Sequence, residues 1–239
     1  MSLRLMRSSS AWSSMSKRSV SVGLVFLTLL VSLAQPATAK PQTTHTATTT
    51  NTALKYAKTL KPKVWASHDG YARSQFSSGW GDITVQGRSC DLRNYILMRD
   101  LKNVVHRASD WCIVQSGTLN DPYTGKVIKF VRGVGTSNAV QIDHVVALSN
   151  AWSTGAQLLS STSRYQLAND PLNLLAVDGP TNGQKSDSDA ASFLPRASYR
   201  CKYVARQLSV KRKYHLWVTA SEKSAMISVL STCPKQRLP

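Results

Sequence analysis

The chain has 239 residues, 42% of them hydrophobic, with 30 Lys and Arg against 12 Asp and Glu and a formal net charge of +18. That apolar fraction excludes a wholly disordered chain, and the length allows one full domain with accessory segments. The positive balance calls for an anionic partner such as nucleic acid, a membrane surface or an acidic wall polymer, and the scarcity of acids, with Glu222 the lone Glu, argues against a glycosidase needing two carboxylates.

The first segment reads as targeting sequence. Arg4, Arg7, Lys17 and Arg18 form a basic start, Val22 to Ala34 is apolar, and Ala37-Thr38-Ala39 is a small-residue cleavage site, so residues 1–39 are expected to be a signal peptide. The apolar stretch falls short of the roughly 20 residues that span a bilayer. Loss of those four basic residues and no acids lowers the charge from +18 to +14, leaving a basic mature protein that is expected to be secreted and extracellular, without stable membrane insertion. Residues 40–63 are rich in Thr, Ala, Lys and Pro and are expected to be a flexible leader. From Val64 onward Trp, Tyr and branched aliphatic residues recur, and one folded domain is expected over 64–239.

Within that domain, Leu92 to Leu101 suggests a short helix. Cys112 to Ser116 and Val127 to Val131 suggest strands joined by the turn Asp121-Pro122-Tyr123-Thr124-Gly125. The four cysteines, Cys90, Cys112, Cys201 and Cys233, include no C-x-x-C pair, so in an exported chain disulfides are favoured over zinc. Three pairings are open. Cys90 with Cys112 and Cys201 with Cys233 is preferred, because Cys201, Val204, Ala205, Leu208 and Met226, Val229, Leu230, Cys233 form two apolar helical stripes suited to face each other. Thr219-x-x-Glu222 opens the second of these helices as a capping box, which gives Glu222 a structural task.

The segment richest in chemistry is Gln141-Ile142-Asp143-His144-Val145-Val146. Ala139 to Leu148 and Leu172 to Val177 read as strands and Asp178-Gly179-Pro180 as a turn. A helix is expected from a Thr181-x-x-Gln184 capping box to about Leu194. Asp143 and His144, adjacent on a strand, point to opposite faces, one a hard oxygen ligand and the other a proton acceptor at neutral pH. Asp143 with the amide oxygen of Asn182 meets the modest demand of Mg²⁺ (or Mn²⁺) for protein ligands. Asn173, with no acid or base chemistry, is assigned to holding the His144 segment across the loop. Lys185, three residues after Asn182 near a helix start, is the candidate phosphate contact, and Arg164 and Asn169 are further substrate-binding candidates.

These stretches, QIDHVVALSNAW at 141–152, LANDPLNLLAVDGPTNGQKSD at 167–187 and FLP at 193–195, resemble the secreted HNH (ββα-metal) endonucleases related to the C-terminal domain of the GmrSD restriction enzymes. The resemblance runs from about Cys90 onward. It implies an α+β fold with a ββα-metal core, an N-terminal helix and β-hairpin region and two C-terminal helices, stapled by disulfides. It also implies a single-metal phosphodiesterase in which His144 is the base, Asp143 and Asn182 hold the metal and Asn173 orients the loop. The position of the final His of the family's name is Asn182 here. The expected activity is cleavage of DNA, with RNA left open, at low sequence specificity.

Each piece has a plainer meaning. An Asp-His pair is weak by itself, and the reversed pair His68-Asp69, followed by Gly70, reads as an ordinary turn. His45, His106 and His215 read as linker, surface or core residues, and no G-x-S-x-G supports a serine nucleophile. Lys202, Arg206, Ser209 and Lys213, with the run Lys211-Arg212-Lys213, suggest a solvated helix face that in so basic a chain tracks a phosphate backbone. The rival to an enzyme is a noncatalytic secreted cationic protein that binds DNA or an anionic envelope polymer, which would place no demand on Asp143, His144 or Asn182.

Overall fold

The computed structural model describes residues 52–239. The expected signal peptide and the leader as far as Asn51 lie outside the described residues. The rest of the leader corrects the sequence reading, because Thr52–Thr59 is a helix, α1. Ala53 and Ala57, one turn apart, are fully buried, with Leu54, Tyr56 and Leu60 packed beside them. Lys223 Nζ donates to the Lys58 and Leu60 carbonyls at the helix end, at 3.1 and 2.6 Å, so exposed C-terminal acceptors find a cation.

A small hairpin, β1 (Asp82–Val85) and β2 (Arg88–Asp91), leads directly into α2 (Leu92–Asp100). Asp91 caps that helix by accepting from the Asn94 amide at 2.9 Å. Then β3 (Leu101–Arg107), β4 (Asp110–Asn120) and β5 (Val127–Val131) form an antiparallel sheet in that order. The β4–β5 turn is the expected one. The Asp121 carboxylate accepts from the Thr124 amide at 2.7 Å, and Gly125 holds φ +81°, where a Cβ would strike the Arg196 guanidinium.

The next unit positions the chemistry. Strand β6 (Val140–His144) pairs antiparallel with β7 (Leu174–Asp178), and α5 (Gly179–Lys185) follows at once. The long connection carries α3 (Leu148–Ser153) and α4 (Ser161–Ala168). Period-2 alternation splits the core around this pair of strands. Val140, Ile142, Leu174 and Ala176 pack with Ile96, Leu97, Val114 and Phe130. Leu175 and Val177 pack with Tyr203, Val204 and Leu208 of α6 (Ala197–Lys213) and Met226 and Leu230 of α7 (Ala220–Ser231). Each large aliphatic side chain buried here contributes about 1.5–3 kcal/mol, so the two strands are held from both faces.

Helix α5 departs from the sequence reading at both ends. Asp178, expected in a turn, is the cap, its carboxylate accepting from the Thr181 amide at 3.0 Å and hydroxyl at 2.6 Å, with Pro180 in the first turn. An Asp one turn ahead of Thr outcompetes the Thr-x-x-Gln pattern because its carboxylate reaches both donors. The helix stops at Ser186, with φ +50°, instead of reaching Leu194. Beyond it, Asp189 turns the chain by accepting from the Ala191 and Ser192 amides. Gly179 lets the Asn138 carbonyl approach so closely that a Cβ would collide with it, which seats the helix start against the approach to β6.

Both preferred disulfides are present, Cys90–Cys112 and Cys201–Cys233. The second links α6 to the end of α7, where the two apolar stripes meet. Thr219 caps α7 as expected, accepting from the Glu222 amide at 3.1 Å. The basic face expected on α6 is largely engaged with protein. Arg206 donates to the Pro171, Leu172 and Leu174 carbonyls, Lys213 pairs with Asp170 at 2.7 Å, and Ser209 and Lys211 are buried. Among the described residues no helix is long and apolar enough to cross a membrane.

Candidate active site

Asp143 and His144 end β6 and, as neighbours on a strand, face opposite ways. Asp143 shares a side with Leu175, its partner in register, and His144 with Leu174. Both are nearly buried, yet both line an open cavity of about 590 Å³ together with Gln141, Asn182, His68, Ser149 and Asp187. His144 also lines a second cavity, of about 320 Å³, with Trp80, Ser74, Ser77 and Ala168. The imidazole therefore stands where two recesses meet.

His144 Nε2 lies 2.9 Å from the Ala168 carbonyl. A carbonyl only accepts, so Nε2 carries the proton and Nδ1 is left with the lone pair. Trp80 lies nearly parallel to the ring, at 8° with centroids 6.0 Å apart. Burial lowers the His144 pKa to about 4; the Ala168 hydrogen bond opposes the shift and the nearby Arg73 charge adds to it. With its pKa so lowered, the ring is neutral across the physiological range.

Asp143 is held on both oxygens. Lys185 Nζ lies 2.9 Å from Oδ1, and the Tyr123 hydroxyl donates to Oδ2 at 2.5 Å. Tyr123 stays a donor, because burial and the Asp143 charge raise its pKa well above the usual tyrosine value. Lys185 also donates to the His144 carbonyl at 3.0 Å and is fully buried. This corrects the expected phosphate contact: the short helix turns Lys185 inward, and its charge is spent on Asp143.

Asn173 works on the same strand end. Its Oδ1 accepts from the Val146 amide at 2.8 Å and its Nδ2 donates to the Val146 and Leu167 carbonyls at 3.2 and 3.3 Å. The backbone leaving β6 is thereby tied to the start of β7. On α5, Asn182 Nδ2 donates to Gln141 Oε1 at 2.9 Å, which leaves Asn182 Oδ1 without a protein donor among the described residues.

The two other substrate-binding candidates lie elsewhere. Arg164 donates to the Gln75 carbonyl at 2.9 Å and to the Leu159 carbonyl at 2.5 Å, and sits over Trp152. Asn169 Oδ1 accepts from the Gly81 amide at 2.7 Å. Neither lines a cavity containing His144, because each side chain is used to fasten the segment around residues 75–81 to α4. His68 does sit in a turn as read, yet its ring reaches the main cavity, where Nε2 lies 2.9 Å from Ser149 Oγ, which in turn donates to Asp187 at 3.3 Å. Sequence reading also missed Tyr123, Arg73 and Trp80. Tyr123 sits inside a turn motif, and the other two occupy a stretch without hydrophobic period, so no local signal marks them.

The donors suit a hard divalent cation better than zinc. Among the described residues no group of three or more His, Cys, Asp or Glu is placed to hold a metal. Mg²⁺ and Mn²⁺ accept one or two protein oxygens and complete their shell with water. The donor-free Asn182 Oδ1 and the remaining lone pairs of Asp143, in one open polar cavity, fit that requirement.

The mixed α+β scaffold sets a neutral imidazole beside oxygen donors in an open polar cleft, and the family whose profile the chain matches is of nuclease type. The sequence profile of the GmrSD restriction endonucleases' C-terminal domain matches residues 88–229, and the chain belongs to that family. It is also 36% identical over 213 residues to an uncharacterized secreted protein of Arthroderma benhamiae, across 88% of this chain and 98% of the relative. No solved structure matches it.

Proposed function

We propose that the protein is a secreted, metal-dependent endonuclease of the HNH (ββα-metal) type that hydrolyses phosphodiester bonds of DNA, with RNA left open as in the sequence reading, at low sequence specificity. One observation carries the reading: Asp143, His144 and Asn182 converge on one open cavity at the junction of β6, β7 and α5. In this reading His144 Nδ1 takes the proton from an attacking water. Asn173 fixes the backbone that presents the ring, and Lys185 with Tyr123 fixes Asp143. Asn182 and Asp143 would hold Mg²⁺ or Mn²⁺, which when bound supplies charge stabilisation to the phosphate and leaving oxygen. Export is supported by the two disulfides and by the secreted relative from Arthroderma benhamiae.

Plasmid nicking tests the proposal. The wild type should nick with Mg²⁺ or Mn²⁺ and stop with EDTA, and His144→Ala should lose about 10²–10⁴-fold in rate, the usual size of general-base catalysis. Undiminished cleavage by that variant would remove His144 from the mechanism. A wild type inert with every divalent metal would return the chain to the class of cationic binding proteins.

A further inference from the structure

With Lys185 buried, the proposed nuclease needs another cation for the substrate phosphate, and the candidate lies outside the family-matched residues 88–229. Arg73, His144 and Leu148 are the three residues that line both cavities meeting at the imidazole. Among the described residues, Arg73 is the one Lys or Arg in either lining. Its side chain is exposed and makes no hydrogen bond or ion pair among the described residues. Arg164, which holds the same turn, is committed to the Gln75 and Leu159 carbonyls, and Arg99 and Arg206, outside both linings, to carbonyls around Pro171–Leu174.

The backbone beneath this unspent guanidinium is firmly held. Arg73–Gln75 is a 3-10 turn whose first carbonyl accepts from the Phe76 and Ser77 amides, at 3.0 and 3.2 Å. On either side of it, Tyr71 and Phe76 pack edge-on to Trp152, with centroids 6.2 Å away in both cases. The Arg164 bond to the Gln75 carbonyl clamps the turn again. An anchored backbone carrying a free planar fork suits bidentate contact with two phosphate oxygens.

Resting on the nuclease reading, we infer that Arg73 is the scissile-phosphate-binding residue, supplied to the catalytic cleft by the segment that precedes the family domain. Its charge answers the negative charge that grows on the non-bridging oxygens as water attacks.

The test compares Arg73→Ala, Arg73→Lys and, as a control for one lost surface charge, Lys129→Ala on exposed β5. The mature protein is assayed on a short oligonucleotide with Mn²⁺. Binding of the same oligonucleotide, fluorescently labelled, is followed by anisotropy in EDTA. Arg73→Ala should lose about 10²-fold in kcat/KM, with most of the loss in kcat. Arg73→Lys should recover part of it, since it restores charge without the fork. In EDTA, Arg73→Ala should bind more weakly and its salt slope should fall by about one. Lys129→Ala should stay within about twofold, and all variants should melt with the wild type, because neither side chain packs. Cleavage by Arg73→Ala equal to that of Lys129→Ala overturns the inference and leaves the nuclease reading standing. A wild type that cuts with no metal overturns both.

Discussion

Two buried lysine–carboxylate pairs, chemically alike, serve different ends in this fold. Lys185 and Asp143 join α5 to the end of β6, while Lys211 and Glu222 join α6 to α7. Both ammonium groups are essentially out of water, and both pairs are 2.9–3.0 Å apart. The settings differ. Asp143 borders the open cavity and keeps the Tyr123 hydroxyl as a second donor. Glu222 borders none of the cavities described, and burial raises its pKa against the opposing pull of Lys211. Lys211 in turn gathers Asn150 and the Trp217 carbonyl, so its one charge ties four parts of the chain together. The pair at the cavity edge fixes the carboxylate proposed to hold the metal, whereas the pair between helices fixes the packing.

The comparison breaks most visibly at Lys211. Lys211→Met leaves a buried carboxylate without its counter-charge and should cost about 3–5 kcal/mol in urea unfolding, most of it recovered by adding Glu222→Leu. Without the lysine, Glu222 stays protonated more readily when folded than when unfolded. A folded pKa raised in this way stabilises below the unfolded value and is lost as pH rises through the folded one, so the single variant should weaken from pH 5 to 8. A single variant as stable as the wild type would show that the pair does not hold α6 to α7. Lys185→Met should cost less, about 2–3 kcal/mol, because Asp143 keeps Tyr123 and borders a cavity that admits water. Its larger effect should be on plasmid nicking, which should drop at least about tenfold as the carboxylate loses its fixed position. Full activity at full stability would contradict a positioning role.

How much of this was legible in sequence differs between the two pairs for the same reason. Asp143, His144, Asn173 and Asn182 are visible because strand alternation and the start of a helix are local patterns. The partner of Asp143, by contrast, lies 42 residues away, and a seven-residue polar helix has no apolar stripe to say which side faces inward. Lys185 therefore looked like an exposed phosphate contact. Glu222 showed its capping half through Thr219 and concealed its pairing with Lys211, which sits in a basic run that resembles surface. Helix α1 is a different kind of miss. Ala53, Tyr56, Ala57 and Leu60 have helical spacing, but small alanines among Thr and Lys read as leader composition. Arg73 and Trp80 had no signal, since only tertiary folding brings their segment to His144.

Asn173 extends the contrast to a neutral group. Asn173→Ala removes the acceptor of the Val146 amide and the donor to two buried carbonyls, and should cost about 2 kcal/mol. Asn173→Asp keeps the acceptor but sets a buried carboxylate oxygen against the Val146 and Leu167 carbonyls, and should cost at least as much. Nicking should follow the same order, because the lost bonds hold the backbone two residues beyond the proposed base. If Ala and Asp proved equally active and as stable as the wild type, the amide would have no share in holding that strand end.

The smallest effect concerns pH and opposes the one expected at Glu222. Burial holds the folded His144 pKa at about 4, below the unfolded value of about 6.5. On unfolding in mild acid the ring takes up a proton, so its contribution is complete above about pH 6.5 and is lost as pH falls toward 4. Melting temperatures of the wild type and His144→Gln should therefore run parallel from pH 8 to 7 and converge below, by about 2–4 °C at pH 6, equivalent to about 1 kcal/mol. Curves that stay parallel down to pH 4 would mean that the ring is solvated enough to protonate in place. It would then be a poor base in acid, and the recess between Trp80 and Ala168 would lose its role of keeping the imidazole neutral.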